Sequence, residues 1–317
     1  MRRLAFLAWL SAATLQAQRP DDLIARADSM LSWGQIFSAE SLYYRAASLQ
    51  PRNPAGRLAL GRYLASRGVL RVGAVLMEEA LYFGGNADTI SRHLAPVYAA
   101  LGDWRTLATL RGTTLSFGEK SRAEWLMRHA PEVEGPDSVT VPYSPADSVL
   151  GFVTIIVGAD TIDTTIDPRV QGLVLDSSFR RRIIVKRFAA RNERDWRTAS
   201  WVATSVRIGE LTLRNVPVKL EPMGRATFAR IGLDELGKLA PTFDANGGRL
   251  LLRRAGRIRR ARGAPPPPDI IPTISMRGTV WLIHDGQILP IASPDAKRLL
   301  RGRWTLNPRQ GEAIPGS

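Results

Sequence analysis

Phe152 to Leu175 reads FVTIIVGADTIDTTIDPRVQGLVL. Val153, Ile155 and Val157 alternate with Thr154 and Ile156, Gly158-Ala159-Asp160 breaks the run, and Ile162, Thr164 and Ile166 resume it. Alternation interrupted by a glycine-containing turn predicts a β-hairpin. Asp167 follows Ile166 and is itself followed by Pro168, which has no N–H to give to a strand ladder. A second apolar run, Leu173-Val174-Leu175, begins past Gly172, so the acid ends a strand at a sharp corner.

Further β-elements follow. Trp201 to Ile208 leads through Gly209-Glu210 into Leu211 to Val218, a second hairpin. Phe228 to Leu236 reads as a strand that turns into a short helix, with Gly232 allowing two backbones to approach. Thr242-Phe243-Asp244 and Arg249 to Leu252, separated by Asn246-Gly247-Gly248, form a closing hairpin. In order and spacing, Phe152 to Leu252 resembles one lobe of the retropepsin-like aspartic peptidases. In that family the second strand of a hairpin runs into a hydrophobic residue and then Asp-Thr-Gly-Ala. Asp167 matches the acid, whereas Pro168 and Arg169 stand where the family has Thr and Gly.

The resemblance implies an all-β barrel and makes Asp167 the candidate catalytic residue. Aspartic peptidases activate water between two carboxylates that share one proton, because both cannot ionise together. One lobe supplies one acid, so Asp167 would meet a second only across a two-fold axis. Pro168 supplies no hydroxyl and no N–H, and the Arg169 cation favours the ionised form of Asp167. The expectation is a pseudoenzyme; the alternative is an active aspartic endopeptidase working as a homodimer through Asp167.

From Pro20 to Phe117 the pattern is helical, and Gly34, Gly68 and Gly102 recur every thirty-four residues. That is the period of the tetratricopeptide helix-turn-helix unit, and the segment resembles that family. Ala39, Tyr43 and Ala46 with Pro51 and Asn53 mark the first unit. Leu60, Gly61, Gly68 and Ala80 mark the second, with Gly73 where the family has a small alanine, and Leu94, Tyr98, Gly102 and Trp104 mark the third. Each unit has an apolar face that only a neighbour covers, which implies a small solenoid that holds a peptide or protein. Trp33, Tyr43, Tyr44 and Trp104 are assigned to interhelix packing, and Gly118 to Met127 to a capping helix.

The fold class is therefore α+β: an N-terminal TPR-like α-helical solenoid followed by an all-β, retropepsin-like (acid protease) barrel domain. Residues 1–17 read as a secretory signal peptide, since Arg2 and Arg3 precede the apolar run Leu4 to Leu15 and Ala17 precedes Gln18. The expected divisions are helical repeats over 18–130, a Pro-rich linker over 131–148, the peptidase lobe over 149–254, an Arg/Pro-rich linker over 255–272 and a C-terminal β segment over 273–317. The last segment faintly echoes the opening hairpin as a partial second lobe, with Ala292 where Asp167 stands in the first. Asp295 lies too far along to replace it, and Trp304-Thr305-Leu306 is expected as a final edge strand.

Composition narrows the partners. The 317 residues carry a net charge of +15, lysine is sparse and arginine is spread throughout. That distribution fits a broad compositional bias as well as a nucleic-acid-binding face; an exported basic chain would meet anionic envelope polymers or lipids, and the charge alone selects no partner. Cysteine is absent, which excludes disulfides and thiolate chemistry. His93, His129 and His284 have neither metal-ligand nor triad spacing, and Gly84-Gly85 lacks the Lys-Ser/Thr of a phosphate loop. Asp160, Asp163 and Asp167 lack the glycine and terminal glutamate of a calcium loop. No metal and no cofactor is expected, and no residue is assigned to partner binding. The sum is a periplasmic or secreted protein- or peptide-binding scaffold, with a homodimer required only for the enzymatic alternative.

Overall fold

A computed structural model describes residues 19–110, 115–147, 149–182, 184–191, 194–224, 229–254, 270–276, 279–285, 287–300, 302–307 and 311–315. The proposed leader, 1–17, lies outside these, as do Phe228 and most of the Arg/Pro-rich stretch. The chain is α+β, with helices over 20–128 followed by β-structure.

Seven helices come first: α1 (Pro20–Ser32), α2 (Ile36–Leu49), α3 (Pro54–Ser66), α4 (Leu70–Tyr82), α5 (Ala87–Leu101), α6 (Trp104–Ala108) and α7 (Phe117–Arg128). Gly34, Gly68 and Gly102 occupy the turns inside three successive pairs at φ of 77°, 83° and 71°. Only glycine adopts that conformation cheaply, which explains the thirty-four-residue recurrence. Asn53 and Asn86 cap α3 and α5 through their side chains, and Ser116 and Glu119 form a capping box on α7. Gly73 is explained by its partner: a Cβ there would lie 2.7 Å from the Gly61 carbonyl oxygen, so α3 and α4 cross glycine on glycine. Tyr43 donates to Asp28 and Tyr63 to Glu40. Tyr43 and Trp104 are buried as expected, but Trp33 and Tyr44 are 68% and 46% exposed, which corrects their assignment to packing.

The strands are β1 (Glu132–Glu134), β2 (Ser138–Pro142), β3 (Ser144–Pro145), β4 (Gly151–Val157), β5 (Asp160–Ile166), β6 (Leu173–Asp176), β7 (Val185–Phe188), β8 (Ser200–Ile208) and β9 (Leu211–Glu221). They continue with β10 (Ala229–Ile231), helix α8 (Leu233–Leu236), β11 (Thr242–Asp244), β12 (Arg249–Arg253), β13 (Ile271–Met276), β14 (Thr279–His284), β15 (Gln287–Pro290), helix α9 (Pro294–Leu299), β16 (Arg303–Asn307) and β17 (Glu312–Pro315). The first sheet runs β1-β9-β6-β10-β5-β4-β8-β7, and a further pairing of β8 with β9 closes its middle six strands into a barrel. The second sheet runs β15-β14-β13-β17-β16-β11-β12-β2.

Three expectations are corrected here. Residues 131–148 are not a linker: β1 pairs with β9, β2 with β12 and β3 with β4. The hairpin β11–β12 does not close the first barrel but joins β2 and the C-terminal strands, so 149–254 and 273–317 share the second sheet. Trp304 sits on β16, an interior strand flanked by β11 and β17, not on an edge.

One hydrophobic cluster links barrel and second sheet, from Ile155 and Leu175 to Phe243, Leu252, Trp304 and Leu306. Two others join helices to strands. Leu107, Ala123 and Leu126 pack with Val202 of β8, while Ile36, Tyr63 and Leu64 pack with Ile274 of β13 and Ile283 of β14. Arg67 Nη1 adds a hydrogen bond to the Thr273 carbonyl at 2.7 Å.

Candidate functional site

The corner at Asp167 is built by a strand that threads between its two arms. β10 lies parallel to β5, with Ile231 beside Ile166, and antiparallel to β6, with Ile231 beside Leu173. The chain leaving β5 must therefore pass around the end of β10 before it can enter β6. Asp167 N–H donates to the Ile231 carbonyl at 3.1 Å, and Gly232 N–H donates to the Gly172 carbonyl at 2.8 Å. A Cβ on Gly232 would stand 2.1 Å from the Val170 carbonyl oxygen, so that position excludes any side chain.

Asp167 is buried in this corner with 4% exposure. Its Oδ1 accepts from the Arg169 backbone N–H at 3.0 Å and from Arg169 Nε at 2.9 Å, and its Oδ2 accepts from Arg169 Nη2 at 3.1 Å. Both oxygens are thus taken by one guanidinium two residues away, in the two-pronged geometry that arginine offers carboxylates. Burial alone pushes the Asp167 carboxyl up. The side-chain and backbone hydrogen bonds from Arg169, with the charges of Arg169 and Arg230, outweigh it and hold the group below the ordinary carboxylate value. The Arg169 side chain remains largely exposed.

Two residues that support the corner lie in the Phe228 to Leu236 strand-to-helix segment but were not assigned a role from the sequence. Asp234, at the start of α8, accepts the Gly172 N–H at 2.9 Å on each oxygen and so anchors the far end of the loop. Arg230, next to Ile231 on β10, pairs with Glu221 and adds positive charge toward Asp167. The Asp234–Gly172 contact joins segments distant in sequence, as does the effect of the Arg230 charge on Asp167. The Leu233-Asp234-Glu235 opening of a helix was the only trace, since acids favour the first helical turn.

The other candidate residues are separated. Asp160 pairs with Arg182 at 3.3 Å and Asp163 accepts from Thr154 Oγ1 at 3.0 Å, so the acidic triplet divides among three different partners. His129 stacks on Trp125 at 4.3 Å between ring centres, and His284 faces Asp285. Burial, with Arg62 and Arg92 nearby, holds His93 below its ordinary value. Among the described residues no group of three or more His, Cys, Asp or Glu could hold a metal ion. Ala292 ends the turn after β15, the chain then enters α9, and Asp295 there pairs with Arg298. Among the described residues the C-terminal segment pairs only in antiparallel fashion and does not repeat the threaded corner.

No protein-family model matches the chain, and no curated protein matches it. Among solved structures it is similar to a retropepsin-like aspartic protease from Rickettsia conorii, at 16% identity and a TM-score of 0.26. That match covers 39% of this chain and 92% of the other. Likeness at this level assigns no activity.

Proposed function

We propose that this chain is an exported binding protein in which a tetratricopeptide-like helical array recognises a peptide or protein beside a retropepsin-like domain that does not cleave. The observation that carries the non-cleaving half is the Arg169 clamp on both oxygens of Asp167. An aspartic peptidase needs a carboxyl free to share a proton with a second acid and to hold water. Here the cation favours the ionised state and occupies both oxygens, and Pro168 replaces the hydroxyl that the family carries. The retropepsin-like reading itself is supported by the β10 strand threaded between β5 and β6 and by Gly232 beneath the corner. The array is supported by three helical pairs, each turning on a glycine of positive φ. Export is supported by the basic and then apolar residues 1–17, and amino-terminal sequencing of protein recovered from its native host is expected to begin at Gln18.

Incubation with unfolded casein at acidic pH, with and without pepstatin, tests the reading. The natural chain and its Asp167→Asn variant are both expected to leave casein intact. Cleavage that pepstatin stops and Asp167→Asn abolishes would replace this reading with the homodimeric endopeptidase.

A further inference from the structure

Between Pro142 and Ser144 the chain leaves one sheet for the other. β2 pairs with β12 of the second sheet, whereas β3 pairs with β4 of the first, Ser144 beside Phe152 and Pro145 beside Gly151. Where β2 and β3 diverge, a notch of about 360 Å³ opens against the β4–β5 hairpin. Val153, Ile155 and Ile162 turn into the barrel core, so the alternate residues stand on the outer face. There Phe152 lies opposite Thr165 and Thr154 opposite Asp163, and the register makes these four side chains neighbours. All four line the notch, with Pro142 and Ser144 on its other side.

The groups it presents are of few kinds. Among the described residues after 128, Phe152 is the one exposed aromatic, at 42%. Thr154 Oγ1 donates to Asp163 Oδ1 at 3.0 Å, and Asp163 Oδ2 accepts from no described residue. Ser144 and Thr165 add two hydroxyls. β4 also offers main-chain groups, because it pairs with β3 at Gly151 and Phe152 and with β8 at Ile156 and Val157, and Thr154 between them has no strand partner on that edge.

Charge and shape narrow the occupant. No cationic side chain lines the notch, and the Asp163 carboxylate repels an anion. A cation has to approach a chain of net charge +15. A peptide adding a strand to β4 would run into β3 and β8, which hold the same edge on either side of the gap from Val153 to Ile155. A purely apolar group would cover the hydroxyls and the carboxylate and leave them unpaired. A neutral ring bearing hydroxyls on its edge and C–H groups on its face meets every requirement. Its hydroxyls exchange hydrogen bonds with Ser144, Thr154 and Thr165 and donate to Asp163, while its C–H face packs on the Phe152 ring. The volume lies at the small end of ligand pockets, which begin near about 300 Å³.

We infer that this notch binds a neutral saccharide, a short stretch of glycan with a ring against Phe152 and its hydroxyls on Asp163. The inference rests neither on the helical array as a peptide receptor nor on the chemistry at Asp167, and the casein assay reads those separately.

Full-length protein is screened on a glycan array, and the neutral glycan bound most strongly is carried into isothermal titration calorimetry. Phe152→Ala and Asp163→Ala are each expected to weaken that binding about tenfold or more. Phe152→Trp is expected to keep it, which separates loss of the aromatic wall from lost folding. Phe37→Ala, which removes an exposed ring from α2, should change affinity less than about twofold. The inference is overturned if no neutral glycan binds above background, if anionic glycans are bound in preference to neutral ones, or if both notch substitutions leave the affinity unchanged. Casein-derived peptides whose binding falls in Phe152→Ala and Asp163→Ala, with no glycan bound, would assign the notch to a peptide instead.

Discussion

At Asp167 the chemistry is decided by a residue two positions away. Replacing it, Asp167→Asn, removes an acceptor for the Arg169 guanidinium and is expected to cost about 1–3 kcal/mol in chemical denaturation near neutral pH. The pH dependence follows from the lowered folded value. Stability from this group is fully present above the unfolded-chain value of about 3.9 and is lost as pH falls through the lower folded value. The natural chain and the Asn variant should therefore converge in stability only in strong acid; a constant difference down to that range would show that Arg169 does not hold the ionised carboxylate. Gly232 is the second decisive residue. Gly232→Ala drives a methyl into the Val170 carbonyl and is expected to cost about 1–3 kcal/mol or more, whereas Gly224→Ala, with open space around it, should be nearly neutral. Equal stability of the two variants would mean that the corner yields. Asp167, Arg169 and Gly232 were legible because their signals are local: an acid at a strand end, a cation beside it, a glycine after apolar residues. Arg230 and Asp234 were not, because what they do depends on which distant segment β10 is threaded against.

At the scale of elements, helices were read more easily than strand partners. A glycine every thirty-four residues records a local backbone requirement and survives any tertiary arrangement. The segment 131–148 shows the converse. Its prolines suggested a linker, but Pro142 ends β2 on the outer edge of the second sheet, and Pro145 lies in the short β3. Those are the places where a missing N–H does little harm. Trp304 was placed on an edge because β17, its outer neighbour, is only four residues long and ends in Pro315, leaving little alternation to read. The pairing of β13 and β14 with the first two helical pairs gives a test at this scale. Ile274 and Ile283 are buried against helices rather than solvent, so Ile283→Ala is expected to destabilise by about 2–5 kcal/mol. Hydrogen exchange should rise in α1 to α4 as well as in β14. Loss of protection confined to the strands would show that the helices do not depend on this contact.

For the whole molecule, the division into a binding array and a separate β-domain predicts two independent unfolding units, whereas the packing predicts one. The helices close their own apolar faces only in part. Leu126 and its neighbours need Val202, and Tyr63 and Leu64 need Ile274. The β-part is likewise continuous, since strands from 138–142, 242–253 and 271–315 share one sheet and its core merges with that of the barrel. Loosening either end of the helical array exposes apolar surface on the strands, at roughly 25 cal/mol for each Å². Unfolding in guanidinium is therefore expected to give one transition, with the helix signal in far-ultraviolet circular dichroism and tryptophan fluorescence falling together. Val202→Ala should lower the midpoint for both signals, because that side chain belongs to a cluster made mostly of helices while its strand belongs to the barrel. Helix signal lost at a clearly lower denaturant concentration than fluorescence would instead identify two domains that touch without depending on each other. The clusters around Val202 and Ile274 would then be contacts of convenience, and a partner could displace the β-part from the helices.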